Sequence, residues 1–219
     1  KMKKLIFTIL IIINSTYIFS QIDYKNQSFN IGIESINEFR DFLLIKNDAN
    51  YKSEMEPLIK WGIDNFKKYG FDVERLETPE LPLLLASKII SEKAKTILIY
   101  LQFDGQPVDN SKWEQQDPYR AVLKEKINEK YEIVDWEILK GISMKDILEK
   151  DLRIFARSSS DAKGPVMMML SALEIMRRND IELKYNIKVI MDFEEEISSP
   201  NLAAAVKKYS SKLKSDALF

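Results

Sequence analysis

The chain has 219 residues, 45% hydrophobic and 31% charged, enough for one substantial core and too apolar for a disordered chain. Its 33 basic and 34 acidic residues leave a formal charge of −1, and no basic stripe with interleaved aromatics occurs, which sets nucleic acid aside as a partner. Cysteine and histidine are both absent, so disulfides, thiolate metal sites and a cysteine nucleophile are excluded, and the commonest general base and metal ligand is missing.

The first twenty residues, KMKKLIFTILIIINSTYIFS, place Lys1, Lys3 and Lys4 ahead of an apolar run from Leu5 to Ile13. That order is the pattern of a secretory signal peptide at residues 1–20, with Ser20 as the small residue before cleavage. The apolar run is short for a membrane span, which favours a signal peptide over the alternative of an uncleaved anchor, so the membrane is expected to matter only for export, to the periplasm or outside the cell.

Beyond it, FNIGIESINEFRDFLLI and YKSEMEPLIKWGIDNFKKYG have the spacing of amphipathic helices. In the second, Met55, Leu58, Ile59, Gly62, Phe66 and Tyr69 form one stripe and Gly70 is the stop. FDVERLETP, LPLLLASKI and KTILIYLQFD have the character of strands. From Asn110 to Lys150 the pattern is polar and irregular, with Trp113 and Trp136 embedded in charge, and predicts a long loop with a short helix at Met144 to Glu149. GPVMMMLSALEIMRRND opens with Gly164-Pro165 as a helix should, YNIKVIMDF is a strand, and SPNLAAAVKKY is a helix with Ser199 as the expected cap. SDALF begins a last strand with no helix after it. The alternation predicts an α/β fold, an open, mostly parallel sheet with helices on both faces, incomplete at the carboxyl end.

Acidic residues fall where such a sheet collects its ligands. Asp104 follows the strand LIYLQ, Asp161 precedes a helix, and Glu194-Glu195-Glu196 follow the strand NIKVIMDF. Residues two apart on a strand point the same way, so Gln102 and Asp104 are delivered together. Carboxylates gathered at one edge repel one another and are costly to desolvate, which a cation between them would relieve. Each also has a plain structural alternative: Asp161 as a helix-capping acid, Asp104 as a turn residue before Gly105, and the glutamates as a solvated face.

Three segments, YLQFDGQPVDNSKWEQQDPY, IFARSSSDAKGP and NIKVIMDFEEEISSPNL, resemble in order and spacing three motif blocks of the dizinc exopeptidase superfamily that includes aminoacylase, carnosinase and succinyl-diaminopimelate desuccinylase, the M-twenty metallopeptidases. The resemblance runs from about Phe29 to Phe219. It implies a catalytic domain of which residues 21–219 are the amino-terminal part, with two zinc ions per site and a smaller lid or dimerisation domain beyond Phe219. That domain would be the route to a homodimer. The first block of the family is His-x-Asp: Asp104 matches the aspartate that orients the histidine, and Gln102 stands where the zinc-binding histidine should be. Asp161 matches the aspartate that bridges both zincs and whose following peptide bond is cis. The third block places two glutamates before x-Gly-Ser. Aligned on Ile197-Ser198-Ser199, Glu195 becomes the general base and Glu196 a zinc ligand, with Glu194 as a neighbour and Ser198 replacing the glycine. A further aspartate and a histidine are expected beyond this chain.

What the resemblance implies is zinc-dependent hydrolysis of an amide bond in a dipeptide, short peptide or N-acyl amino acid by the full-length protein, this segment alone being inactive. The alternative is a non-catalytic relative that binds peptides or partners, because Gln102 replaces a metal-binding histidine. A flavodoxin-like binding module with capping acids only fits the strand and helix alternation but not the three-block match.

Overall fold

The computed structural model describes residues 23–219, so the signal peptide expected at residues 1–20 lies outside the described residues. The amphipathic stretch FNIGIESINEFRDFLLI belongs to two helices rather than one: α1 (Tyr24–Glu34) ends at Ser35, whose hydroxyl donates back to the Ile31 carbonyl at 2.7 Å, and α2 (Ile36–Leu44) starts afresh. Back-bonding of this kind bends or breaks helices. The third helix, α3 (Glu56–Lys68), has Pro57 in its first turn and Lys67 and Lys68 in its last, where the helix dipole favours them. Its stripe of Leu58, Ile59, Gly62 and Phe66 is buried, and Gly70, at φ +75°, turns the chain out of the helix.

The main sheet has five strands in the order β1 (Asp72–Leu76), β2 (Leu83–Lys88), β7 (Asn186–Asp192), β3 (Thr96–Gln102), β8 (Ala217–Leu218). Strands β3 and β7 are parallel, as are β3 and β8, while β2 is antiparallel to both its neighbours, so β2 alone runs against the rest. Mostly parallel, open and mixed with helices, this is the predicted α/β class.

Helices cover both faces, as expected. On one side Phe42 of α2, Leu58 and Phe66 of α3, and Val166 and Leu170 of α5 (Lys163–Arg178) pack on Leu84, Leu101, Val189 and Met191. On the other, Ala205 of α6 (Leu202–Lys208) and Leu213 of α7 (Ser210–Leu213) pack on Leu83, Leu85, Leu98 and Ile190. In β2 three successive leucines serve both layers, which is why that strand has no polar face.

The segment from Asn110 to Lys150 departs from expectation. Rather than a long loop it contains a hairpin, β4 (Val122–Ile127) with β5 (Lys130–Val134), which joins β6 (Arg153–Phe155) in a second, antiparallel sheet. The hairpin turns through Asn128 and Glu129, both at positive φ (47° and 64°), the backbone that two-residue hairpin loops require. Lysines and glutamates on its strands hide the alternation, since several keep their charged heads in water along a half-buried strand. The short helix α4 (Met144–Glu149) lies at the expected residues, capped by a reciprocal pair of bonds between Ser143 and Asp146.

Candidate functional site

The site is built where β3 and β7 end side by side. They pair in parallel register, so Gln102 lies opposite Asp192, and the Phe103 amide donates to the Asp192 carbonyl at 2.8 Å. Past this point the chain carries Asp104, fully buried, while after β7 it folds into a 3-10 turn, Glu195–Ile197. Asp104 joins the two segments: one carboxylate oxygen accepts from the Glu195 amide at 3.1 Å and the other from the Glu196 amide at 3.0 Å. Burial pushes the Asp104 carboxyl up to about 7, against the pull of those two N–H groups, and the nearby Asp192 adds to the rise.

Burial likewise raises the Glu195 carboxyl, and the charges of Glu196, Asp161 and Asp192 raise it further. Asp161, exposed, sits just before α5, and the Asp161–Ala162 peptide bond is cis. Thus Glu195 stands within electrostatic reach of Glu196 and Asp161, while Asp104 meets the glutamates through their backbone and not through their side chains. Gln102 is half-buried, and its amide approaches only the Asp104 carbonyl, at 3.5 Å.

Behind this edge lie polar groups that the sequence did not single out. Asp192 is buried and accepts from the Tyr100 hydroxyl at 3.0 Å, the Ser199 hydroxyl at 2.6 Å and the Glu194 amide at 3.0 Å. Ser199 therefore does not cap the following helix. Asn201 takes the N-cap position of α6, its side chain donating instead to Glu194 at 2.8 Å. The reason is local: Ser198 and Ser199 both have positive φ (71° and 43°), which turns the Ser199 hydroxyl back to β7. Ser198 thus adopts the backbone that glycine adopts without strain, at the position where the resembling motif has glycine.

Lys163, two residues after Asp161, is fully buried. Its ammonium donates to the carbonyls of Phe42 (2.9 Å), Leu43 (3.4 Å) and Ile45 at the end of α2. Burial lowers its pKa to about 7, but three accepting carbonyls need three N–H donors, which only the charged form has. In the sequence, a lysine in DAKGP gave no sign of burial, because nothing local marks its partners 120 residues away.

A metal would have to be held by oxygen. Glu196 has one carboxylate oxygen accepting from Gln106 and the other, Oε1, buried without a partner, and Glu194 Oε1 is likewise buried and unpartnered. Unsatisfied carboxylate oxygens fit a divalent cation in kind, and a carboxamide oxygen at Gln102 suits a hard cation better than it suits zinc. They do not fit in number: among the described residues no group of three or more acidic side chains is gathered closely enough to hold a metal ion.

Comparison with known proteins gives these positions a context. Residues 134–219 match Peptidase family M20/M25/M40. The Beta-Ala-His dipeptidase of Homo sapiens is 21% identical over 207 residues, 87% of this chain and 34% of that protein, and its Rattus norvegicus counterpart is 20% identical over 191 residues, 80% of this chain and 34% of that protein. The chain thus spans about a third of the length of these relatives. Among solved structures, an M20 family metallo-carboxypeptidase from Sulfolobus solfataricus superposes with a TM-score of 0.65 at 26% identity, covering 85% of this chain and 36% of that one. Human carnosine dipeptidase 1 superposes with a TM-score of 0.66 at 20% identity, covering 89% and 40%. Residues 134–219 thus resemble the M20 peptidase family, and most of the chain shares its fold with an M20 family metallo-carboxypeptidase.

Proposed function

We propose that this chain is the part of a longer exopeptidase that carries the general base and two of the metal-binding carboxylates, and that the whole protein hydrolyses an amide bond in a dipeptide, short peptide or N-acyl amino acid. The observation that carries the proposal is the Asp104 clamp on the Glu195 and Glu196 amides, which fixes the backbone of both glutamates at the sheet edge. Asp161 and Glu196 would hold zinc, Gln102 would lend a carboxamide oxygen, and the remaining donors would come from outside the described residues. Zinc bound there would acidify water and polarise an amide carbonyl.

The chain's own contribution to the chemistry is proton handling. Glu195 would take the proton of an attacking water and return it to the leaving amine, and its raised pKa brings it nearer to working pH, where such exchange is efficient. Asp104 would hold the backbone of the base still. Export, directed by residues 1–20, belongs to the same proposal, and amino-terminal sequencing of exported protein should read from Gln21 onward.

Two variants of the full-length protein test the proposal. Gln102→His should raise zinc occupancy, measured by metal analysis, together with dipeptide hydrolysis. Glu195→Gln should abolish hydrolysis and leave the metal bound, since the base is not a ligand. Should Gln102→His gain nothing and Glu195→Gln lose nothing, the second reading, a non-catalytic relative that binds peptides, replaces the first. What favours that reading is Gln102 itself.

A further inference from the structure

We propose that Asn47 is a positioning residue that fastens the strand end bearing Gln102 and Asp104 to the turn bearing Asp161. Asn47 lies in the connection between α2 and α3, outside all three motif blocks, and is fully buried. Its Nδ2 donates to the Phe103 carbonyl at 3.0 Å and approaches Ser158 Oγ at 3.0 Å, and the Ser158 hydroxyl lies 3.2 Å from Asn47 Oδ1. Phe103 offers only an acceptor there, which fixes the orientation of the amide. On the main chain, the Asn47 carbonyl accepts from the Gly105 amide at 2.8 Å. Asn47 therefore grips the residues on both sides of Asp104 at once.

The second grip leads to Asp161. Ser158 stands three residues before it, at φ +64°, and the Ser158 carbonyl accepts from the Lys163 amide at 3.0 Å, closing the turn that contains Asp161. The Lys163 ammonium returns from the start of α5 to the carbonyls of Phe42, Leu43 and Ile45, so the end of α2 and the connection that follows it are both tied to that turn. No hydrogen bond joins the Asp104 and Asp161 side chains directly. Their separation is set through residue 47, whose buried amide has no freedom to move without abandoning a carbonyl or a hydroxyl.

The consequence for metal binding rests on the proposed function above, whereas the brace itself rests on geometry, and the test separates them. In full-length protein stripped of metal, Asn47→Asp keeps the shape but turns a carboxylate oxygen toward the Phe103 carbonyl, and Ser158→Ala removes only the second grip. Hydrogen exchange should then quicken at Gly105 and Lys163 together in Asn47→Asp, at Lys163 chiefly in Ser158→Ala, and at Val189 in neither. Unchanged protection at Gly105 and Lys163 overturns the proposal. Titration with zinc alone should show Asn47→Asp binding about 10- to 100-fold more weakly, the usual loss when a supporting group is removed. In an Asp161→Asn background the same change should cost nothing further, because the arm it positions is already lost. Equal zinc affinity in Asn47→Asp and wild type, despite quickened exchange, reduces Asn47 to a fold-stabilising residue and overturns the positioning role. A wild-type protein that takes up no zinc overturns the metal assignment instead, and the exchange measurements alone then decide for or against the brace.

Discussion

Gly105 follows the clamping aspartate at a place where the chain has no room for a side chain. A Cβ there would lie 2.1 Å from Ser158 Oγ, 2.9 Å from Asn47 Nδ2 and 3.1 Å from Asn47 Oδ1. Gly105→Ala therefore forces Ser158 to leave Asn47, since the gap must open by more than an ångström to reach ordinary contact. The separated hydroxyl and amide, both buried, cost about 1–3 kcal/mol, and the overpacking that remains costs about 1–3 kcal/mol. The reduced freedom of the unfolded chain returns about 0.4–1 kcal/mol. The net loss should be about 1–5.6 kcal/mol, readable as a lower urea midpoint at unchanged slope by circular dichroism. Adding Ser158→Gly removes the atom that is struck, so the double variant should be more stable than the sum of the single losses allows, by about 1–2 kcal/mol. If Gly105→Ala costs less than about 0.5 kcal/mol, or if the two changes simply add, the contact between Gly105 and Ser158 is not what holds this turn.

Two further changes probe the frame around the site. Lys163→Met leaves the Phe42, Leu43 and Ile45 carbonyls without their donor, and thermal melting should show a loss of about 1–3 kcal/mol even though a costly buried charge is removed with it. A melt equal to wild type would mean that these carbonyls find water. Glu174 is held by Arg177 first and by Arg178 as well, which lower its carboxyl from 4.5 to about 2. A depressed carboxyl stabilises the fold above its unfolded pKa and loses that contribution as the pH falls through the folded one, so the window is pH 4.5 down to about 2. Because both arginines are well exposed, Glu174→Gln should cost no more than about 1 kcal/mol at pH 7 and less in high salt. Identical acid-melting profiles for wild type and variant over that window would remove Glu174 from the account.

The parts of this fold that the sequence announces are those held by nearby residues. The stripe of Leu58, Ile59, Gly62 and Phe66, the stop at Gly70 and the apolar runs of β3 and β7 carry their signal within one element, and each lies where the spacing predicts it. What was hidden depends on partners far along the chain. The hairpin of β4 and β5 carries lysines and glutamates on a face that is only half covered, so its alternation is blurred and the segment passes for a loop. Asn47 and Lys163 read as ordinary polar residues, because the groups they serve lie 56 and 121 residues away. Ser199 has the look of a helix cap, and only the left-handed turn at Ser198 and Ser199 sends its hydroxyl to Asp192.

The site itself was legible as a pattern of strand ends, and its internal geometry was not. Acids placed after β3 and after β7 suggest carboxylates facing one another across a cation. Instead, the innermost of them are satisfied by neutral donors: Asp104 by two backbone amides, Asp192 by two hydroxyls and an amide, and one oxygen of Glu194 by Asn201. Each of these bonds is formed by the fold alone, so the edge keeps its shape without a positive charge to gather it. What the neutral donors leave unserved is narrow: one buried oxygen on Glu194 and one on Glu196. A carboxylate oxygen removed from water and given no partner is unfavourable unless something cationic or hydrogen-bonding meets it in the working protein. Whatever meets those oxygens, a cation or a hydrogen-bond donor, therefore acts on Glu194 and Glu196, while Asp104 and Asp192 serve as framework. Substituting Asp104 should accordingly disturb the placement of both glutamates, whereas substituting Glu196 should leave that placement intact and alter only what the edge can bind.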